Sequence, residues 1–266
     1  MRHLALVGSL SLDRVDGSLR RIGGAPYWGG RGLRLLSRPG RIVAKCARED
    51  RRRLLPRLVA LGIPVTLWSG DATHEFSIDY DGDRRTMRVD AVGDPWLPDE
   101  LAGALAGVEA VHVAPLLRSD FSPETLAEVA RGRRLSLDGQ GLTRPGRTGP
   151  LELDRDFDPA LLEHVTVLKL AEEEAQAIIG EPSASALAEL GVPEVVVTFG
   201  ERGSLVYAGG RLERVEAHPI SPVDPTGAGD AFAVAYLASR TEGHAPAASA
   251  RRATAVVAAL LAGSAR

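Results

Sequence analysis

Short apolar runs alternate with amphipathic stretches along most of the chain. Residues 3–8 read as a buried strand ending in a glycine turn, and 20–22 as a short extended piece running into Gly23-Gly24. The spacing of Tyr27, Leu33, Leu35 and Leu36 predicts a helix over 25–37. Strands follow at 41–46 and 64–68 around a helix at 52–61. This alternation implies a parallel, doubly wound sheet covered on both faces. It resumes with strands at 108–113, 134–137, 165–168 and 194–198 and helices at 123–130, 172–179 and 184–190. A late hairpin spans 204–207 and 211–215 across Gly209-Gly210, and two closing helices start near Gly227 and Ala245.

Between 73 and 89 the period shortens to two. Residues 74–80 and 84–89 alternate polar and apolar about the turn signal Asp81-Gly82-Asp83. That is a hairpin with one wet face, not a buried parallel strand. The expected architecture is α/β: one domain over 1–266, a mainly parallel sheet flanked by helices, and a small β flap, or lid, from about 10–22 and 73–90. Phe76, Ile78 and Tyr80 alternate along the flap, offering an apolar face that a second copy could cover in a homodimer.

Charge narrows the partners. Lys and Arg total 32 against 35 Asp and Glu, a formal charge of −3, which leaves no footprint for nucleic acid. Arginines at 51–53 and 131–134 lie at element edges and read as solvated faces. A single cysteine, Cys46, excludes an internal disulfide and a cysteine metal cage. The run 4–12 is broken by Gly8, Ser9 and Ser11 and lacks a signal-peptide pattern. No run reaches the ~18–20 apolar residues of a membrane helix. A cytoplasmic protein with neither membrane nor nucleic-acid partners is expected.

The most informative string is Asp224-Pro225-Thr226-Gly227-Ala228-Gly229-Asp230-Ala231-Phe232. A Gly-Ala-Gly run opening an Ala-rich helix leaves several N–H groups free and convergent. With the helix dipole they make an anion site suited to phosphate oxygens. Asp230, in the first turn, can take a proton from a hydroxyl attacking phosphorus. The string is not a Walker A loop, lacking Gly-Lys-Ser/Thr, nor a dinucleotide fingerprint. A lone Gly-x-Gly-Asp reads equally well as a helix cap on a tight turn.

The longer Asp-x-Thr-Gly-Ala-Gly-Asp string followed by Ala-Phe resembles the C-terminal signature of the PfkB, or ribokinase-like, carbohydrate kinases. Gly8-Ser9-Leu10-Ser11-Leu12-Asp13, Gly23-Gly24, Leu168-Lys169-Leu170-Ala171-Glu172-Glu173-Glu174 and Val197-Thr198-Phe199-Gly200 are similar to further segments of that family. The resemblance implies a ribokinase-like fold and transfer of the ATP γ-phosphate to a hydroxyl. Asp230 would be the base, and the amides of Gly227, Ala228 and Gly229 the cradle. Glu174 would hold the water shell of Mg²⁺, Thr198 and Gly200 would face the nucleotide phosphates, and Asp13 and Gly24 the acceptor. Asp224 and Thr226 match positions that bind a monovalent cation in some members.

Departures from the pattern refine these expectations. Ala171 stands where the family carries Asn, which bears on metal–nucleotide affinity. Ser11 and the stretch after Gly24 lack the Asn residues of ribose enzymes, so ribose is disfavoured. Only 36 residues follow Asp230, and the segment that would complete a potassium site looks trimmed. Gly24-Ala25-Pro26-Tyr27-Trp28, Ala114-Pro115-Leu116, Asp138-Gly139-Gln140-Gly141-Leu142-Thr143-Arg144 and the flap resemble the inositol-kinase-like branch, pointing to a polyol such as myo-inositol. Gln140 and Arg144 would then join Asp13 around the acceptor. Arg144 reads equally as a phosphate clamp or a surface ion pair, and Lys169 as a nucleotide contact or a partner of Glu172 or Glu173. Arg85 and Arg88 read as solvated, His112 as a satisfied core histidine, and Trp28, Trp68 and Trp96 as packing residues rather than substrate platforms, Trp28 being the best exception. A nucleoside or keto-sugar kinase, or a catalytically weak ligand-binding relative, remain alternative readings.

Overall fold

The computed structural model describes residues 3–82, 84–218 and 224–264. Its strands are β1 (Leu4–Ser9), β2 (Ser11–Val15), β3 (Arg21–Gly23), β4 (Gly40–Ala47), β5 (Val65–Gly70), β6 (His74–Asp81), β7 (Arg84–Ala91), β8 (Ala110–Ala114), β9 (Arg134–Asp138), β10 (Gly149–Pro150), β11 (Val167–Ala171), β12 (Glu194–Thr198), β13 (Ser204–Ala208) and β14 (Arg211–Val215). Its helices are α1 (Ala25–Leu35), α2 (Arg51–Val59), α3 (Pro98–Ala102), α4 (Pro123–Ala130), α5 (Gln140–Thr143), α6 (Glu172–Ile179), α7 (Ala184–Ala188), α8 (Ala228–Thr241) and α9 (Pro246–Ser264).

The larger sheet runs β14-β13-β12-β11-β9-β8-β1-β4-β5. It is parallel from β12 to β5, with β13 and β14 added antiparallel. Both faces are covered, so successive residues of one strand are buried against different layers. On β1, Ala5 and Val7 join the cluster of Leu101, Leu126 and Ala175 from α3, α4 and α6. Leu4 and Leu6 join Leu33, Val234 and Leu237 from α1 and α8. Helix α8 is buried from Ala231 to Ser239 between the sheet, α1 and α9, which explains its alanine-rich composition.

The smaller sheet runs β10-β7-β6-β2-β3. The chain passes from one sheet to the other at Leu10, whose N–H donates to Lys45 O at 2.9 Å. The β6–β7 hairpin does not stand alone: β2 pairs parallel to β6, and β3 antiparallel to β2. Phe76, Ile78 and Val89 pack on Leu116 and Leu117, just beyond β8. Of the apolar face that sequence reading offered to a second copy, Phe76 and Ile78 are thus covered by the chain itself, while Tyr80 stays half exposed. Asp83 of the expected turn lies outside the described residues.

One boundary shift matters for chemistry. The expected strand at 165–168 stopped where a charged residue ended the apolar run. The observed β11 continues to Ala171, and Lys169 is buried within it.

Candidate active site

The carboxyl ends of β1, β8, β9 and β11 open onto one crevice. It lies where the chain order reverses, β4 flanking β1 on one side and β8 on the other. Open α/β sheets bind ligands at such points. The N-terminus of α8 closes the crevice. Gly227 precedes the helix with φ +82°, and a Cβ there would lie 2.7 Å from the Cβ of Trp28. Both the left-handed backbone and the contact require glycine. The Ala228 N–H donates to Pro225 O at 3.0 Å and closes the turn. This corrects the expected cradle: the amides without a partner among the described residues are those of Gly227, Gly229 and Asp230.

A polar pocket of about 280 Å³ lies on one side of this turn. Asp13, Gly24, Gln140, Arg144, Glu174, Thr226, Gly227, Gly229 and Asp230 all line it, as do Ser11, Trp28, Arg21, Arg85 and Lys169. Asp13 Oδ1 is buried without a hydrogen-bond partner. Burial raises the carboxyl above its ordinary value, against Ser11, Arg21, Arg144 and Arg85. An orphaned acceptor of this kind suits a hydroxyl donor. Arg144 Nε is likewise buried and unpartnered, which removes the surface ion-pair reading. Arg88 instead pairs with Asp90 at 3.4 Å on the exposed side of the flap.

A second cavity of about 590 Å³ lies on the other side, lined by Thr198, Gly200, Ala228, Phe232, Thr254, Val257 and Leu261. Pro225 and Gly229 border both spaces, so the turn before α8 is their shared wall. Thr198 Oγ1 donates to Leu170 O at 3.2 Å, tying the end of β12 to β11. Asp224 stands apart, exposed, its Oδ1 accepting from Thr226 N at 2.9 Å and from the Thr226 hydroxyl.

Under α8 a row of polar side chains crosses three strands. His112, Ser136, Asp138 and Lys169 share the sheet face toward α8, because Leu135, Leu137, Leu168 and Leu170 take the other. His112 Nδ1 lies 3.0 Å from Ser136 Oγ, while Nε2 has no partner; burial pushes the ring down to about 4, so it is neutral. Lys169 Nζ lies 3.3 Å from Asp138 Oδ2, where Glu172 or Glu173 had been expected as partner; Glu172 pairs with Arg202 instead. Burial alone would discharge both groups of the Lys169–Asp138 pair. Their mutual field, with Glu174 and Asp230 acting on Lys169, holds both charged.

Asp230 feels burial first and the Asp138 charge second, and is pushed up to about 7 against Lys169 and Arg144. Glu174 is also raised to about 7, chiefly by burial, and its Oε2 accepts from Ala171 N at 2.7 Å. That reach-back bond stops α6 from starting earlier and aims the carboxyl at the crevice. Among the described residues no cluster of three or more His, Cys, Asp or Glu forms a metal cage. A Mg²⁺ carried by phosphates and water needs only one or two carboxylates.

Arg21 was missed by sequence reasoning, Arg85 was read as solvated, and Lys169 was offered only as a nucleotide contact or an ion-pair partner of Glu172 or Glu173. The flap's alternation carried the only available signal, since Arg85 faces Tyr80 in register and the even positions of β6 line the pocket.

A crevice at parallel strand ends, an amide turn at a helix N-terminus and a carboxylate within it together make a candidate anion-binding site. Residues 78–264 match the pfkB family carbohydrate kinase model. The chain belongs to that family, whose members are phosphotransferases with hydroxyl acceptors. Ribokinase of Bacillus subtilis (strain 168) is 26% identical over 91% of this chain and 87% of its own. Inositol 3-kinase of Zea mays is 31% identical over 66% of this chain but only 45% of its own. In fold, the chain matches a pyrophosphate-dependent ribokinase-family kinase complexed with a pyrophosphate analog and myo-inositol, with TM-score 0.84, 22% identity and 97% and 95% coverage. No helix among the described residues is long and apolar enough to cross a membrane.

Proposed function

We propose that this carbohydrate kinase transfers the γ-phosphate of ATP to a hydroxyl of a small polyol resembling myo-inositol. One observation carries the reading: Asp230 and its amide turn form the wall between a polar pocket and a larger, apolar-lined cavity. Acceptor and nucleoside would occupy the two spaces, with the phosphate chain crossing at Gly229. Asp13, Gly24 and Gln140 would hold the acceptor, with Arg144 placed to meet either its hydroxyls or the phosphate. Asp230 would take the hydroxyl proton as the new O–P bond forms. Thr198 and Gly200 would flank the donor, and the smaller sheet would act as lid.

Glu174 would hold Mg²⁺ through water, and the ion would neutralise phosphate charge. Asp224 and Thr226 are the residues available for a monovalent cation. The unpartnered Asp13 oxygen supports a polyhydroxylated acceptor, as does the likeness to inositol kinases. A pyrophosphate donor is the second reading, favoured by the cations Lys169, Arg21, Arg85 and Arg144 around the pocket. The cavity lined by Phe232, Val257 and Leu261 favours a nucleotide over it.

The test is a phosphoryl-transfer assay with Mg-ATP or pyrophosphate against myo-inositol, ribose, fructose, ketosugar acids and nucleosides. Turnover of myo-inositol with ATP, abolished in Asp230→Asn, is the expected result. Turnover confined to nucleosides or to pyrophosphate would overturn the acceptor or the donor assignment respectively.

A further inference from the structure

The two buried lysines of this fold are held differently. Lys45, 4% exposed, donates to Pro95 O at 2.8 Å and to Glu100 Oε2 at 2.7 Å, a saturated structural arrangement. Lys169, 5% exposed, meets Asp138 Oδ2 only at 3.3 Å, longer than a charge-assisted bond usually runs. Its ammonium borders the polar pocket and lies against the turn before α8, where a Cβ added to Gly229 would sit 3.3 Å from Nζ and 3.8 Å from Cε. Gly229 thus keeps clear the space between this ammonium and the free amides. Ala171, two residues on along the same face of β11, is too small to fill it.

We propose that Lys169 is a further catalytic residue, its ammonium contacting the transferring phosphoryl group from beneath the Gly227–Asp230 turn. The proposal rests on the kinase reading of Asp230. In the step, the acceptor oxygen bonds to phosphorus, the bond from phosphorus to the donor's leaving oxygen breaks, and the acceptor proton passes to the Asp230 carboxylate. Lys169 keeps its proton throughout. Its positive charge faces equatorial oxygens whose negative charge grows in the transition state. A fixed cation in a water-poor site acts there without reorganisation cost. Asp138, buried behind it in register on β9, keeps the ammonium charged and limits where it can move.

Lys169→Met alone would leave the Asp138 charge buried and unpaired, so the decisive protein is Lys169→Met/Asp138→Asn, which replaces the pair by neutral groups of similar size. Its kcat should fall about 10²–10³-fold while the acceptor KM stays within about threefold. Affinity for inorganic tripolyphosphate, measured calorimetrically with no acceptor present, should fall at least about tenfold. Gly229→Ala, which displaces the ammonium without removing its charge, should lower kcat in the same sense. A double variant with kcat and tripolyphosphate affinity near wild type would overturn the proposal and leave Lys169 as a partner of Asp138. Wild-type protein without Asp230-dependent turnover would instead overturn the kinase reading itself, and this role with it.

Discussion

Asp13 and Gly23 compete for one small volume between β2 and β3: a Cβ at Gly23 would collide with Asp13 Oδ2 and with Ser11 Oγ. The carboxylate is therefore held in place by a missing side chain as much as by the hydroxyl beside it. Gly23→Ala should push Asp13 out of line without touching the donor side. Because misplacing a binding group by about 1 Å can cost about 10²-fold, the acceptor KM should rise by about ten- to a hundredfold. The donor KM should stay unchanged. Steady-state kinetics with each substrate varied in turn would check this, and equal changes in both constants would refute it.

As the proposed base, Asp230 would give the activity a pH signature. Raised to about 7 by burial and the nearby Asp138, it must be ionised to act as base. The kcat/KM profile should fall on the acid side, to about a tenth of its plateau near pH 6, with the limb near pH 7. Asp230→Asn should lower kcat by about 10²–10⁴-fold while donor binding persists.

The same shift has a consequence for stability, and its sign follows from proton uptake. Between the ordinary carboxyl value of 3.8 and about 7, the folded protein holds more proton at Asp230 than the unfolded chain does. The contribution of this group is complete at low pH and is lost as pH rises through that window. Asparagine carries no such penalty. Asp230→Asn should therefore melt several degrees above wild type at pH 8, and the difference should shrink toward pH 5. Calorimetric scans at the two pH values would test it, and a pH-independent difference would count against it.

The string 224–232 stood out as a candidate anion site without a structure because such a site at a helix start is local, built from consecutive residues. Parallel strands were legible for a related reason: burial on both faces makes their apolar runs continuous. What escaped depends on register and distance. Lys169 looked like the end of a strand because charge interrupts an apolar run, and only the pairing of Lys169 with Asp138 across β11 and β9 makes its burial tolerable. Arg21 and Arg85 belong to flap strands whose polar positions usually face water, yet both reach the pocket. The Ala228 amide looked like a phosphate ligand, but the turn spends it on Pro225 O, a choice set by backbone angles.

His74 and Asp120 connect the flap to the loop beside the polar pocket. His74 Nδ1 accepts from Gly93 N at 3.1 Å, and its Nε2 lies 3.3 Å from Asp120 Oδ1 without making a hydrogen bond to it. The other Asp120 oxygen accepts from Leu116 N at 2.8 Å and from Leu117 N at 3.4 Å, fixing a loop that lines the pocket. Asp120→Ala would strand the buried Leu116 and Leu117 amides, each costing about 1–3 kcal/mol. A net loss of about 3 kcal/mol in urea unfolding is expected, with a raised acceptor KM. A loss under about 1 kcal/mol would show that water replaces the carboxylate readily.

The donor can be decided by filling one cavity. Ala258 on α9 lines the larger space together with Phe232, Val257 and Leu261, away from Asp13 and Gln140. Ala258→Trp would place an indole where the nucleoside is expected and leave the amides of Gly227 and Gly229 open. If ATP is the donor, its KM should rise by at least about tenfold, since displacing a base from an apolar surface forfeits about 1–3 kcal/mol of contact. Acceptor affinity should hold. A pyrophosphate donor needs only the turn and its cations, so its KM should not respond. Loss of ATP-dependent turnover with any residual pyrophosphate turnover intact would fix the nucleoside in this cavity. An ATP KM that ignores the substitution would remove the main support for a nucleotide donor and shift the reading to pyrophosphate.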